Sequence, residues 1–381
     1  MRVLMLSSPF ASHLAPMVPL AWALQAAGHD VMVAGPPDVM DVVHATGLCG
    51  VTIGEPVRAA EWLSGHLPEG VRPIQMFGPG TPETLESGVK LWLAHARDAL
   101  PGYLALARCR RPDLIVVDPL EFAGAAIAGT LGVPYVQHRW GIELLGHLAW
   151  RFAGEFFDGP LPPPALIIDP APPELQTPGL PPARTIRHIP VNGTAPAPAW
   201  IGDRPASRRV CVSLGRQTAL MGGLPLFRNL IAAFDGLPDV EAVVTADPEH
   251  HATLGPVPRT VKVVPPTPLD LFLHSCDAIV HHGGASTTLT AIGFGLPHLV
   301  LPQVSDEFAV GRRLAGTGAA LTIEDHRRQD DPARVRSALR TLLDDDAHTR
   351  AAARLRRSQQ AMPPPSAAVP LLEALVLKAM N

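Results

Sequence analysis

Two adjacent histidines and two glycines, placed between an apolar run and a helical pattern, could bind a phosphate group. Residues 278–280 have the apolar character of a strand buried on both faces, and a helical pattern begins near Leu289. A helix start carries unpaired backbone N–H groups and the positive end of a dipole, so it attracts anions, and glycines let a ligand approach the backbone. The side chains between the two elements include His281, His282, Ser286 and Thr287. The stretch therefore predicts a pyrophosphate site; the alternative is a plain helix cap with packed histidines.

A histidine and an aspartate each follow a predicted buried strand in the first half of the chain. His13 comes after the first apolar run, and Asp118 directly after the run 114–117. Open α/β sheets hold their ligands at the carboxyl ends of the strands, so we expect the two side chains to lie close together. An imidazole there can take up a proton, and a carboxylate can hold it in one tautomer. The alternatives are a packed or capping His13, an Asp118 that caps a helix, Glu121 as the orienting carboxylate, and His138 as the base.

The elements that must position these side chains alternate between strands and helices. Strand 2–6, a helix from residue 14 and strand 30–34 form a β-α-β unit, which implies a parallel sheet with a right-handed crossover. A second series restarts with strand 209–214. The pattern also predicts strands at 133–136, 186–190, 240–245 and 261–264, and helices at 123–131 and 224–234.

Proline accumulation between residues 160 and 205 indicates where one domain gives way to the next. We predict an α/β protein with a first domain at 1–195, a linker at 196–206 and a second domain at 207–362. The remaining segment, 363–381, begins with three prolines and ends in a helical pattern. Asp344-Asp345-Asp346 formally matches the Asp-x-Asp metal site of another transferase fold, but it lies between helical segments and reads as a helix end.

Composition excludes several classes of protein. The chain has 381 residues, enough for two domains, with a formal net charge of -4 and 5% aromatic residues, so it lacks the basic face and stacking platform of a nucleic-acid protein. The four cysteines are scattered, which argues against a metal site or a disulfide framework. No signal peptide or membrane span is evident, so we expect a cytoplasmic protein without membrane association. The absence of a Walker loop and of Gly-x-Gly-x-x-Gly argues against a P-loop kinase and an NAD dehydrogenase.

Taken together, the motifs resemble the GT-B type of nucleotide-sugar glycosyltransferases, in the branch that decorates antibiotics and other microbial natural products. The resemblance covers most of the chain: Ser-His-Leu-Ala-Pro at 12–16, the Asp118 turn, Ser-Leu-Gly at 213–215, the double-histidine stretch and the turn at Asp306. The chain departs from the usual pattern at Ser286 in place of glycine, Glu307 in place of glutamine and Val310 in place of asparagine.

The resemblance implies a role for individual side chains. It makes His13 the general base and Asp118 its partner, both catalytic. It implies that the donor is bound by Ser213, Gly215, Arg216, His281, His282, Gly283, Gly284, Ser286, Thr287, Asp306 and Glu307. It places Phe10, His138 and Trp140 at the acceptor. It also implies two Rossmann-like domains that face each other across a cleft, with the final helix returning to the first domain.

The implied activity is that of an inverting, metal-independent hexosyltransferase that needs no cofactor. Its donor would be a nucleotide-linked deoxysugar, with dTDP favoured, and its acceptor a small hydrophobic aglycone such as a polyketide. Two rivals remain at this stage: a nucleotide-sugar epimerase, which shares the fold, and a non-catalytic helper of a partner transferase. The sequence leaves open the sugar, the aglycone, the choice between O- and C-glycosylation, UDP against dTDP, a homodimer and the need for an auxiliary protein.

Overall fold

The computed structural model describes residues 1–79, 81–143, 152–157, 161–203 and 208–380. The chain divides into two compact units, each with its own sheet. Unit 1 consists of Met1–Arg58, Thr81–Val191 and Ala361–Asn381, and unit 2 of Ala59–Gly80 and Asn192–Gln360.

Unit 1 is built on a sheet of seven parallel strands in the order β3-β2-β1-β4-β5-β6-β7. The strands are Arg2–Leu6 (β1), Asp30–Gly35 (β2), Gly50–Thr52 (β3), Leu114–Val117 (β4), Tyr135–His138 (β5), Leu166–Asp169 (β6) and Arg184–Thr185 (β7). All four residues of β4 are buried, as expected of a central strand covered by helices on both faces. β1 lies beside β4, so the segments that follow these two strands emerge next to each other.

The helices of unit 1 cover its sheet and include the last helix of the chain. They are Ala11–Leu14, Val18–Ala26, Pro37–Ala45, Pro82–Arg110, Ala123–Leu131 and Val369–Met380. The first helix begins at Ala11 rather than at residue 14, and a 3₁₀ turn at Ala15–Met17 separates it from the next. Pro16 has no N–H to continue the α-helical ladder, which explains the interruption. The last helix buries Val369, Leu372 and Val376 in the core of unit 1.

Unit 2 has a sheet of six parallel strands in the order β10-β9-β8-β11-β12-β13. The strands are Arg208–Ser213 (β8), Val240–Thr245 (β9), Val261–Val264 (β10), Ala278–His281 (β11), His298–Val300 (β12) and Ala320–Thr322 (β13). The helices are Ala59–Gly65, Pro73–Phe77, Arg216–Thr218, Leu224–Ala233, Pro248–His251, Ala285–Phe294, Ser305–Gly316, His326–Gln329, Pro332–Asp344 and Asp346–Ala361. The Asp344–Asp346 run ends one helix and starts the next, which confirms its interpretation as a helix end.

Residues 59–80 pack with unit 2 although they lie between two parts of unit 1 in the sequence. Arg72 anchors them: its guanidinium is buried and donates to Gln303 Oε1 and Gln329 Oε1, both at 2.9 Å, and to Asp330 Oδ1 at 2.7 Å. Charge-assisted hydrogen bonds of this kind compensate the cost of burying a cation. The segment is therefore an integral part of the second unit.

Several predicted segments differ from the structure or fall partly outside it, among them the strand predicted at 133–136, which is observed as β5 at Tyr135–His138. The strand predicted at 186–190 is replaced by β7, because Ile186 N makes the last bond to the sheet and Arg187 N turns to Pro363 O at 2.7 Å. Within the predicted linker 196–206, residues 199–202 form a 3₁₀ turn, and 204–206 lie outside the described residues. In the described part of the chain, no helix has the length and apolar character needed to cross a bilayer.

Candidate active site

The imidazole of His13 lies in the helix that follows β1, at the carboxyl end of that strand. Its Nδ1 atom is 2.8 Å from Ser8 Oγ and 3.8 Å from Asp118 Oδ1. Only the shorter distance lies in the hydrogen-bond range. The structure thus brings His13 and Asp118 together, as the strand-end argument predicts, but the atom that touches the ring belongs to Ser8, which the sequence analysis does not select. A hydroxyl residue in the same turn as His13 is the signal that could have identified it.

Asp118 is held rigidly at the end of β4. Its Oδ2 accepts from the Ser8 backbone N–H at 2.6 Å and its Oδ1 from Leu120 N–H at 2.8 Å. Burial raises the pKa of Asp118 to about 6, although these hydrogen bonds act in the opposite direction. The carboxylate is therefore ionised through most of the neutral range and is fixed beside the histidine.

Two aromatic rings enclose the imidazole of His13. The Trp140 ring stacks on it with centroids 3.9 Å apart and planes 7° apart, and Phe10 packs at 4.7 Å with a 45° tilt. Trp140 is buried and one face of its ring is occupied by His13, so its contact with an acceptor stays a prediction. Burial lowers the pKa of His13 to about 3, and the ring is neutral at physiological pH. A neutral imidazole is the form that can accept a proton.

The two alternative residues of unit 1 have other partners. His138 ends β5 and is buried; Nδ1 donates to Arg139 O at 2.7 Å, and burial lowers its pKa to about 4. Its Nε2 has no hydrogen-bond partner in the described residues. Glu121 accepts from Ala123 N–H at 3.1 Å and from Tyr103 O–H at 3.3 Å, rather than contacting His13. Burial, reinforced by the charge of Asp118, raises the pKa of Glu121 to about 8. We call His13, Ser8, Asp118, Phe10 and Trp140 the His13 cluster.

In unit 2 the imidazole of His282 fits between two glycines. A Cβ on Gly215 would lie 2.8 Å from His282 Cε1, and one on Gly284 only 2.4 Å from His282 Nε2. Both distances are too short for a real side chain, so the two glycines make the space that this ring occupies. Gly215 also has φ 74°, where L residues are strained. Burial lowers the pKa of His282 to about 4, which leaves the ring neutral.

His281 points into the sheet and cannot reach a ligand, so its predicted role in binding the donor is wrong. Gly283 N–H donates to His281 Nδ1 at 3.1 Å, which places the ring hydrogen on Nε2. That atom in turn faces His298 Nδ1 at 3.0 Å, and both histidines are fully buried. Both ring nitrogens of His281 are used, and its function is to hold the turn at Gly283.

Among the described residues, none accepts the first backbone N–H groups of the helix Ala285–Phe294. Its capping residue is Gly284, which has no side chain to bind the first N–H groups, and the ladder starts with Thr288 N–H on Gly284 O. The backbone N–H groups of residues 285–287 therefore remain available to an anion. Ser286 donates its hydroxyl to Asn192 Oδ1 at 3.3 Å. Thr287, also predicted at the donor, is half-buried in the same turn.

Glu307 is used in fixing the loop before its helix. Its Oε2 accepts from Gln303 N–H at 2.7 Å and Val304 N–H at 3.0 Å, whereas Oε1 lies 3.8 Å from His282 Nε2. Burial and the charge of Asp306 raise the pKa of Glu307, and burial raises that of Asp306. Gly283, with φ 106°, packs against the Glu307 backbone, where a Cβ would lie 3.0 Å from Glu307 O. We call His282, Gly215, Gly284 and Glu307 the His282 cluster.

The remaining predicted donor residues lie at the end of β8 or follow it. Ser213 is its last residue, buried and paired in register with His281. The Arg216 side chain is 77% exposed and forms an ion pair with Asp247 at 3.3 Å. Within the described residues no group of three or more His, Cys, Asp or Glu side chains could hold a metal ion.

Comparison with known proteins gives matches along almost the whole chain. The family model described as "Erythromycin biosynthesis protein CIII-like, N-terminal domain" matches residues 22–215, and its C-terminal counterpart matches residues 229–375. An L-demethylnoviosyl transferase of Streptomyces niveus is 35% identical, covering 96% of each chain. The structure of spinosyn rhamnosyltransferase with thymidine diphosphate is 35% identical with a TM-score of 0.86, covering 98% of this chain and 100% of the other. Its structure with spinosyn aglycone gives a TM-score of 0.85 at the same identity and coverage.

Proposed function

The chain belongs to the Erythromycin biosynthesis protein CIII-like family of sugar transferases, and from this premise we propose that it is an inverting glycosyltransferase acting on a natural-product aglycone. The proposed donor is a deoxysugar linked to a nucleoside diphosphate, with dTDP favoured. The proposed acceptor is a polyketide or related hydrophobic molecule. The spinosyn rhamnosyltransferase complexes with thymidine diphosphate and with an aglycone support both choices.

The observation that carries the proposal is the position of the His13 imidazole beside Asp118, at the carboxyl end of a strand. In the proposed reaction this imidazole takes the proton from an acceptor hydroxyl while the hydroxyl oxygen forms a bond to the anomeric carbon. The bond between that carbon and the diphosphate breaks, and the diphosphate keeps the electron pair. Attack from the face opposite the leaving group inverts the configuration. Asp118 stabilises the imidazolium that forms, as expected of a carboxylate beside a general base.

Unit 2 supplies groups suited to the leaving diphosphate. The free N–H groups of residues 285–287 and the positive end of their helix favour negative charge. His282, lodged between Gly215 and Gly284, adds a neutral hydrogen-bond donor. Fixed donors of this kind stabilise charge that develops in a transition state. No resident metal ion is needed in this proposal, and we expect full activity in EDTA.

The test is incubation with a panel of nucleotide sugars and aglycones, followed by mass spectrometry. We expect a product heavier than the aglycone by one sugar residue, and greater thermal stabilisation by dTDP than by UDP. Release of an epimerised or free sugar without acceptor would instead indicate a nucleotide-sugar epimerase. Failure of calorimetry to detect any nucleotide binding would overturn the proposal and favour a non-catalytic helper.

A further inference from the structure

The hydrogen-bond partner of His13 Nδ1 is the hydroxyl of Ser8 and not the carboxylate of Asp118. The gap of 3.8 Å between His13 Nδ1 and Asp118 Oδ1 is too long for such a bond, whereas Ser8 Oγ lies 2.8 Å from the same ring atom. Ser8 is also buried, so bulk water does not compete for its hydroxyl. The side chain that sets the orientation of the imidazole is thus a serine.

Asp118 cannot readily move closer to the ring. Each carboxylate oxygen already accepts a backbone N–H, one from Ser8 at 2.6 Å and one from Leu120 at 2.8 Å. Breaking either bond would leave a buried donor without a partner, which is unfavourable. The separation of His13 and Asp118 is therefore a consequence of how the two turns are held.

The donors and acceptors around Ser8 define one direction for the hydrogen bonds. If His13 Nε2 is to accept a proton from an acceptor hydroxyl, Nδ1 must carry the ring hydrogen and donate it to Ser8 Oγ. Ser8 is in turn bound to Asp118 through its backbone N–H, which donates to Oδ2 at 2.6 Å. His13 Nδ1–H thus donates to Ser8 Oγ, and Ser8 N–H donates to the Asp118 carboxylate.

We propose that Ser8 is a positioning residue that links His13 to Asp118, selects the tautomer with a free Nε2 and holds the imidazole beside the carboxylate. This inference rests on the proposed function. The Ser8 hydroxyl holds His13 Nδ1 3.8 Å from Asp118 Oδ1, a distance at which the charge of the carboxylate still stabilises the imidazolium. Ser8 itself does not touch the reacting atoms in this scheme.

The test compares Ser8→Ala, Ser8→Thr and Ser8→Cys with the native enzyme. Ser8→Ala keeps the backbone N–H to Asp118 and removes only the hydroxyl, so we expect kcat to fall about 10- to 100-fold, the range for a buried donor left unsatisfied. KM for both substrates should change less than about threefold, because the binding groups are untouched. Ser8→Thr, which retains a hydroxyl, should recover most of kcat. Ser8→Cys, with a weakly accepting thiol of similar shape, should resemble Ser8→Ala and decides the question if Ser8→Ala does not fold.

Combining each variant with His13→Ala separates this inference from the proposed function. If Ser8 acts through His13, Ser8→Ala should cost less than about twofold in the His13→Ala background. Near-native kcat for both Ser8→Ala and Ser8→Cys, beside an impaired His13→Ala enzyme, would overturn the role of Ser8 alone. Near-native kcat for His13→Ala would overturn the base assignment itself. A full additional loss in the double variant would show that Ser8 acts independently of the imidazole.

Discussion

The substitution Gly284→Ala tests directly whether the placement of His282 controls donor binding. The new Cβ would lie 2.4 Å from His282 Nε2 and 2.9 Å from Cε1. Gly284 has φ -59° and ψ 139°, which alanine adopts without strain, so the backbone itself need not change. The perturbation is therefore confined to the imidazole, which must shift by roughly 1 Å to reach an ordinary contact distance.

The ring has little room for that shift. On another side it lies against Gly215, where an added Cβ would be 2.8 Å from Cε1. Overpacking of this kind lowers the free energy of unfolding by about 1–3 kcal/mol. About 0.4–1 kcal/mol of this is offset because alanine restricts the conformations of the unfolded chain. Loss of a hydrogen bond to a charged phosphate costs about 1.5–3 kcal/mol. We therefore expect a small change in Tm and a roughly 10- to 150-fold increase in the Kd for thymidine diphosphate.

Isothermal titration with thymidine diphosphate measures the effect, and Gly316→Ala is the matched control. Gly316 lies in unit 2 at the end of its helix, and a Cβ there would meet nothing within 4 Å. The control should bind the nucleotide normally. In a His282→Ala background, where the obstructing ring is absent, Gly284→Ala should have no further effect. Binding by Gly284→Ala within twofold of the native Kd would refute the role assigned to His282.

Three further predictions concern single side chains. His13→Ala should lower kcat by about two to four orders of magnitude, the usual contribution of a general base, and leave nucleotide affinity unchanged; near-normal turnover would contradict the assignment. In the Glu121→Gln variant, the free energy of unfolding measured in urea should fall less steeply as pH rises from 5 to 8. The pKa of Glu121 is about 8 in the folded protein and 4.5 ordinarily, so the free energy of unfolding of the native enzyme falls as pH rises through this window. The fall is at most about 1.4 kcal/mol per pH unit. If the variant shows the same slope, Glu121 does not carry a buried proton. Arg216→Ala should change the calorimetric Kd for thymidine diphosphate less than about threefold because the side chain is exposed and pairs with Asp247; a tenfold loss would show that it swings onto the phosphates.

Much of the fold is predictable because its central strands are buried on both faces. Leu114–Val117 and Ala278–His281 are fully buried. Such strands appear in the sequence as short apolar runs, and the first polar residue marks the carboxyl end of each run. The polar residue after each run then falls at the carboxyl edge of a parallel sheet. That rule alone brings Asp118 to His13, with no knowledge of distances.

The same rule predicts which residues lie near each other, but it does not predict the distances between their atoms or the orientation of their side chains. Whether Asp118 bonds to His13 directly depends on about 1 Å in the positions of two turns, which the backbone bonds of Ser8 and Leu120 determine. The choice between His281 and His282 depends on orientation, since successive side chains of a strand point to opposite faces. His281 ends the strand and both of its ring nitrogens are bound within the protein, whereas His282 lies in the turn beyond the strand. Alternation along the strand could have shown that only one of the two histidines is available.

Two of the three departures from the usual pattern of this family, Ser286 and Glu307, are explained by contacts within unit 2. Ser286 donates to Asn192, a contact that glycine could not make, and the backbone donors of its turn remain free. Glu307 accepts two backbone N–H bonds through one oxygen, so this oxygen is used by the loop that begins at Gln303. Since both substituted side chains bind the protein itself, neither substitution by itself implies a different donor sugar. Differences in sugar preference should then be sought at Asp306 rather than at these two positions.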